Sequence, residues 1–248
     1  MRGVSLASGP REIRVRALRV ADRRSESGAV TDPFEHAIER LADALGRPPA
    51  SEARWPELRR RTARFARLAS EWNQHLDLTA AAGPDEIAEI LVGDALVLAR
   101  HELVHEGERL LDVGSGAGGP ALALAILRED LEVSLLEPKG KRVAFLRTVI
   151  GTLGLAPRVR AHEGRVEPKK PALPPHVAAA TPSFDVSCAR ATFEPKVWAD
   201  VGLALAPATL VLLATEAVPD GHAVNASVRY ALPLRGSRRE IARLGRRA

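Results

Sequence analysis

Cysteine is almost missing from these 248 residues: the single thiol, Cys188, excludes an intramolecular disulfide and any cysteine-cluster metal site. Aromatic residues are scarce too, at 4%, so the 46% apolar share must build its core from Leu, Val, Ala and Ile. No apolar run approaches the ~20 residues that span a bilayer, so no membrane contact is expected. The Arg-rich residues 1–30 lack the continuous apolar stretch of a secretory signal; they read as a disordered basic arm or an over-long gene start. No Ser/His/Asp or Cys/His set stands out, and His75 and His162 have no partner at metal-ligand spacing. No metal is therefore expected. The lone thiol fits a reducing cytoplasm, and a monomer is the expected state.

What is present is one α/β domain's worth of chain with a helical extension. The net charge of +5 favours acidic partners, nucleic acid first, although an Arg-rich coding bias raises charge by itself. Asp32 and Pro33 suit a helix start, and Phe34, Ile38, Leu41 and Leu45 continue it at helical spacing. A second helix follows Pro56, with Leu58, Phe65, Leu68, Trp72 and Leu76 on one face. Its other face carries Arg59, Arg60, Arg61, Arg64 and Arg67, a stripe that either meets phosphates or is simply solvated. A third helix is expected from 84 to about 105. Beyond it strands alternate with helices: strands at 109–113, 132–137, 159–162, 184–189 and 210–215, helices at 120–127, 141–155 and 195–205, and a Pro/Ala-rich loop at 168–183. That alternation predicts a doubly wound, mostly parallel sheet. The expected division is 1–30 arm, 31–106 helical cap and 107–248 Rossmann-like domain.

The chemistry centres on Asp112-Val113-Gly114-Ser115-Gly116-Ala117-Gly118-Gly119-Pro120, a strand end, a glycine turn and a helix start in succession. Glycines there allow positive φ and close approach of a ligand to the backbone, and the helix N-terminus adds free N–H groups. Gly114, Gly116 and Gly119 also satisfy the dinucleotide fingerprint, so the turn alone does not discriminate. Asp112 is placed either to cap a helix or to hold the ammonium group of a methionine-bearing nucleoside, and Glu137, ending the next strand, is either an ordinary strand-end charge or an acceptor from both ribose hydroxyls. Glu137 is shared with NAD enzymes. Cys188, inside an expected strand, reads as a small core residue and not a nucleophile.

The chain resembles the bacterial 16S ribosomal RNA guanine-N7 methyltransferases, known as RsmG or GidB. The resemblance is carried by Trp72-Asn73 with Leu78-Thr79, Asp94-Ala95-Leu96, the glycine turn, Lys141-Arg142 with Phe145-Leu146-Arg147, Gly164-Arg165-Val166-Glu167, and Cys188-Ala189-Arg190-Ala191. These pieces come in the family's order between about 60 and 235. The resemblance implies a class I methyltransferase fold, S-adenosyl-L-methionine as cofactor, and ribosomal RNA or the 30S subunit as partner. It implies cofactor contacts from Gly114, Gly119, Glu137, Val166 and Glu167, and the strand and glycine turn themselves add Asp112, Gly116 and Gly118 to the expected cofactor site. Arg190 would face the reaction cleft as the catalytic residue, holding the cofactor carboxylate or an RNA phosphate, with Arg165 as a further substrate contact.

Three positions depart from the pattern: Leu91 where the family has His, Ala121 after Pro120, and Glu216-Ala217 in place of Lys-Gly. A carboxylate at 216 would repel phosphates. The expected function is S-adenosylmethionine-dependent N7 methylation of a guanine in small-subunit rRNA. The alternatives are a methyltransferase with another substrate and a non-catalytic RNA- or ribosome-binding relative. An NAD oxidoreductase would need a catalytic Tyr/Lys or His pair, and the one tyrosine, Tyr230, lies far down the chain.

Overall fold

The computed structural model describes residues 11–12, 32–48, 53–100, 103–181 and 183–247. Apart from the backbone of Arg11–Glu12, which forms a two-residue strand, β1, the expected basic arm lies outside the described residues.

Three helices follow: α1 (Pro33–Leu45), α2 (Trp55–Leu76) and α3 (Gly83–Leu98). The Asp32 carboxylate accepts from the Phe34 amide at 3.0 Å, satisfying one of the helix's free donors as the sequence suggests. Phe34, Ile38, Leu41 and Leu45 form the buried stripe of α1. The arginine stripe of α2 is largely occupied. Arg59 pairs with Glu35 and Glu39, Arg61 with Glu129, and Arg67 with Asp32, leaving Arg60 and Arg64 exposed. α3 is buried on most of its surface because it lies among α1, α2 and α4 (Ala121–Leu127). It ends at Leu98 and does not reach residue 105. Arginines draw the following backbone out of the helix: Arg243 donates to Leu103 O at 3.0 Å and Arg128 to His105 O at 3.3 Å.

The sheet is built from β2 (Arg109–Val113), β3 (Glu132–Glu137), β4 (Val159–Glu163), β5 (Val186–Ala189), β6 (Ala208–Leu213), β7 (Ala223–Ala231) and β8 (Arg238–Gly245), with β1 on one edge. Its order is β1-β7-β8-β6-β5-β2-β3-β4. β2 to β6 are parallel to one another, and β8 runs antiparallel between β6 and β7. Successive residues of a strand face opposite sides. Leu110, Val133, Leu135 and Leu210 therefore join the cluster under α1 to α5 (Gly140–Thr152), while Leu111, Val113, Leu136 and Val211 join the one under α6 (Pro175–Ala180) and α7 (Pro195–Leu205). The stretch expected to be loop, 168–183, thus contains the short helix α6, closed over the core by buried Val177.

From β2 the chain moves outward to β3 on one side and later returns to β5 on the other. The crevice above the carboxyl ends of β2 and β5 is therefore the switch point where open α/β sheets bind their ligands.

Candidate functional site

β2 ends at Val113 and the chain enters the glycine turn, with Gly114 at φ 79°, Gly116 at 51° and Gly118 at 91°. The Gly114 and Ser115 amides both donate to Leu136 O, at 2.8 and 3.2 Å. Glu137, only 2% exposed, continues the bracing. Its Oε2 accepts from the Gly116 amide at 2.9 Å and its Oε1 from the Lys139 amide at 3.0 Å. One carboxylate thus fixes both the turn and the entry to α5, and each oxygen keeps a further lone pair.

The glycines face different surroundings. A methyl group at Gly114 would strike the Thr192 side chain, and one at Gly119 would lie 2.8 Å from the Leu91 backbone and 3.2 Å from Arg190 Nη2. At Gly118 it would press on Leu122 and Leu146. At Gly116 it would meet nothing closer than 3.9 Å, where Arg142 Nη1 lies. Gly116 is thus the glycine of the turn that opens onto free space. Leu91 is fully buried, its backbone set against Gly119.

Asp112 lies beneath this turn, 2% exposed. Its Oδ1 accepts from the Cys188 thiol at 3.1 Å, and its Oδ2 has no partner among the described residues. Burial raises its pKa to about 6. Burial, reinforced by the charge of Asp112, pushes the Cys188 thiol up, so it stays protonated and inert. An acid with one free buried oxygen is matched to a cationic ligand, since leaving it unpaired costs free energy.

Arg190 leaves the end of β5 with Nη1 donating to Ile90 O at 2.5 Å and to Asp94 Oδ2 at 3.1 Å. Thr192 then bonds Val113 O at 3.1 Å, closing this loop over the end of β2. Asp94, 1% exposed, also accepts from Tyr230 OH at 2.6 Å and from Arg239 Nη1 at 2.9 and 3.1 Å. Sequence reasoning missed Tyr230 and Arg239; they lie 136 and 145 residues from Asp94, and no local pattern links them. Arg142 was quoted only as part of a motif. It donates to Asp77 O at 3.1 Å and has a buried, unpartnered Nε beside the free space at Gly116.

Val166 is buried after the end of β4, whereas Arg165 and Glu167 are exposed. β4 lies three places from β5 in the sheet, so Arg165 and Arg190 occupy separate parts of the carboxyl rim. Glu216 is exposed beyond β6, its Oε2 accepting from the Ala214 and Thr215 amides at 2.9 and 3.0 Å. Its own backbone amide, together with those of Ala214 and Thr215, lowers its pKa. An open hollow of about 790 Å³ lies elsewhere, near Phe184, Ala206 and Pro207 at the amino ends of β5 and β6. Among the described residues no three His, Cys, Asp or Glu side chains gather as a metal site, and no helix is long and apolar enough to cross a membrane.

A mixed sheet with β8 inserted antiparallel, a braced glycine turn and an acid closing each of the first two parallel strands define a class I methyltransferase. Residues 59–216 match the family model GidB, described as rRNA small subunit methyltransferase G, and the chain belongs to that family. The ribosomal RNA small subunit methyltransferase G of Anaeromyxobacter sp. (strain Fw109-5) is 34% identical over 85% of this chain and 96% of its own length. The protein of that name from Anaeromyxobacter dehalogenans (strain 2CP-C) is 34% identical over 68% of this chain and 72% of its own. Among solved structures, a putative RNA methyltransferase from Pyrococcus horikoshii aligns at TM-score 0.47 and 15% identity, covering 76% of this chain and 99% of that one.

Proposed function

We propose that this chain uses S-adenosyl-L-methionine to methylate N7 of a guanine in small-subunit ribosomal RNA. The observation that carries the cofactor assignment is the buried, unpartnered Oδ2 of Asp112 on the strand that feeds the turn, which opens onto free space at Gly116. The acceptor follows from the relatives' names and the family resemblance. Bound S-adenosylmethionine supplies an electrophilic methyl group on a sulfonium centre. Asp112 would hold the ammonium group, Gly114, Gly116, Gly118 and Gly119 would give the backbone path alongside it, and Glu137 would take the ribose hydroxyls. Val166 and Glu167 would flank the adenine. Arg190, at the cleft, would hold an anionic oxygen of cofactor or RNA, and Arg165 an RNA phosphate further along the rim.

Guanine N7 carries no proton, so the reaction needs no general base. The protein's task is alignment, which can lower such barriers by on the order of 7–11 kcal/mol. The inert Cys188 agrees with a mechanism in which no thiolate acts. On this reading residues 31–106 cap the cleft borne by residues 107–248, and the protein works as a cytoplasmic monomer on rRNA or the 30S subunit.

One observation favours a second reading, a methyltransferase with a different acceptor: the Glu216 carboxylate beyond β6, its pKa lowered by its own backbone amide and by those of Ala214 and Thr215. A negative charge there opposes an approaching phosphate. The test is transfer of labelled methyl to 30S subunits and to naked 16S rRNA, followed by strand cleavage specific for N7-methylguanine. Label at one guanine supports the proposal; no label in either RNA, with the cofactor still bound, moves the assignment to another acceptor.

A further inference from the structure

Arg190 does not stand alone at the cleft. Its Nη1 is committed to Ile90 O and Asp94, while Nη2 lies 3.2 Å from the point where a Gly119 side chain would begin. The direction of its free edge is therefore set by how Asp94 is held. Asp94 sits on α3, almost wholly buried, and takes its other hydrogen bonds from the C-terminal hairpin: Tyr230 on β7 at 2.6 Å and Arg239 on β8 at 2.9 and 3.1 Å. The hairpin lies beyond residue 216, where the family match ends.

A buried carboxylate with a single partner would bind that partner tightly, because separation would strand the charge. Asp94 is instead shared by two guanidiniums and a phenol. Nearby Glu89, itself buried, accepts from the Leu234 amide at 2.6 Å and lies 3.9 Å from Arg235. Arg235 also lies 3.7 Å from Glu86, so three guanidiniums face three carboxylates across this cluster. Of its cations, Arg190 is the one that borders the glycine turn, 21% exposed.

We propose that Tyr230 and Arg239 are positioning residues that act through Asp94 to aim the free edge of Arg190 at an anionic oxygen, so that the C-terminal hairpin sets the anion-binding geometry of the cleft. The ligand chemistry is a carboxylate or phosphate oxygen, offered by the cofactor's amino-acid end or by the RNA backbone. The inference rests on the placement of Arg190 under the proposed function.

The test is a double-mutant cycle of Tyr230→Phe and of Arg239→Met, each with Arg190→Ala. The readouts are methyl transfer, calorimetric affinity for S-adenosylhomocysteine and affinity for a short 16S rRNA fragment. Each hairpin substitution alone should lower transfer about tenfold, the scale of one hydrogen bond to a charged group. Neither should lower it further once Arg190 is Ala, because residues that work through one another are not additive. Arg239→Lys should restore most of the loss, since one nitrogen makes both contacts to Asp94. A fall in homocysteine-nucleoside affinity identifies the carboxylate as the ligand; a fall in RNA affinity identifies the phosphate. Additive losses, or hairpin variants with wild-type transfer and affinities, overturn the proposal. Wild-type transfer by Arg190→Ala would instead remove Arg190 from the site, a failure of the underlying reading. If Tyr230→Phe does not fold, the Arg239→Met and Arg239→Lys pair decides the question.

Discussion

The thiol of Cys188 donates to Oδ1 of Asp112 at 3.1 Å, and the opposite oxygen of the same carboxylate has no described partner. Burial outweighs the help the carboxylate receives from the Ser115 hydroxyl and the Cys188 thiol, so the Asp112 pKa rises to about 6 from its usual 3.8. The folded protein then keeps a proton that the unfolded chain has released across that window. Stability from this group is therefore present at low pH and lost as pH rises through about 6, by on the order of 3 kcal/mol. Urea unfolding between pH 4 and pH 8 should show Asp112→Asn with a flatter profile and a higher relative stability at neutral pH. Parallel profiles for the two proteins would contradict the assignment.

Cofactor binding should follow the same titration in the opposite sense. An ammonium group beside Asp112 favours its ionised form, so affinity should climb as pH rises through about 6. Calorimetry in buffers of different ionisation enthalpy should register proton release on binding at pH 5. Affinity that is flat across this range would place the ammonium elsewhere.

Gly116 and Gly119 should separate binding from folding. Ala at Gly116 meets open space and carries only the cost of φ 51°, about 1–2 kcal/mol. It should fold and lose cofactor affinity more than tenfold. Ala at Gly119 would sit 2.8 Å from the Leu91 backbone, which cannot swing aside as a side chain could. It should cost about 1–3 kcal/mol as an overpacked contact, seen as a lowered urea midpoint. Wild-type cofactor affinity in Gly116→Ala would undo this distinction.

These contrasts show what the sequence carried and what it hid. Asp112, the glycine turn and Glu137 were legible because strand, turn and helix follow one another within one unit. The structure joins these residues through the Gly116 amide. The separate environments of the glycines were not legible, since Thr192, Leu91 and Arg190 come from other segments. β7 and β8 went unread as well. β8 lies between two strands yet carries Arg238, Arg239 and Arg243, which masks the apolar run of a central strand. Arg243 is tolerated because Glu108 pairs with it at 2.6 and 2.9 Å, a contact across 135 residues. α6 was hidden in a Pro/Ala-rich stretch whose composition resembles a loop.

That last ion pair yields a stability prediction. Arg243 and Glu108 are 6% and 8% exposed, so Arg243→Met leaves the buried carboxylate with only the His105 amide and imidazole as partners. The expected loss is about 3–5 kcal/mol, while Arg243→Met with Glu108→Gln should recover much of it. Chemical denaturation of the single and double variants checks this, and a single variant as stable as wild type would refute it.

Asn73 closes the turn after α2 by donating to Thr79 O and accepting from the Thr79 amide, both at 2.9 Å. The same turn offers Asp77 O to Arg142 beside Gly116. Asn73→Ala should cost about 1–3 kcal/mol through the two lost bonds and also weaken cofactor binding several-fold by loosening Arg142. A loss of stability with unchanged affinity would limit Asn73 to the turn.

The most direct test of the central claim is calorimetric titration of the purified protein with S-adenosylhomocysteine, with NADH as the control. The account predicts micromolar binding of the nucleoside alone, lost in Asp112→Asn and Gly116→Ala. Binding of NADH, or of neither ligand, would contradict it.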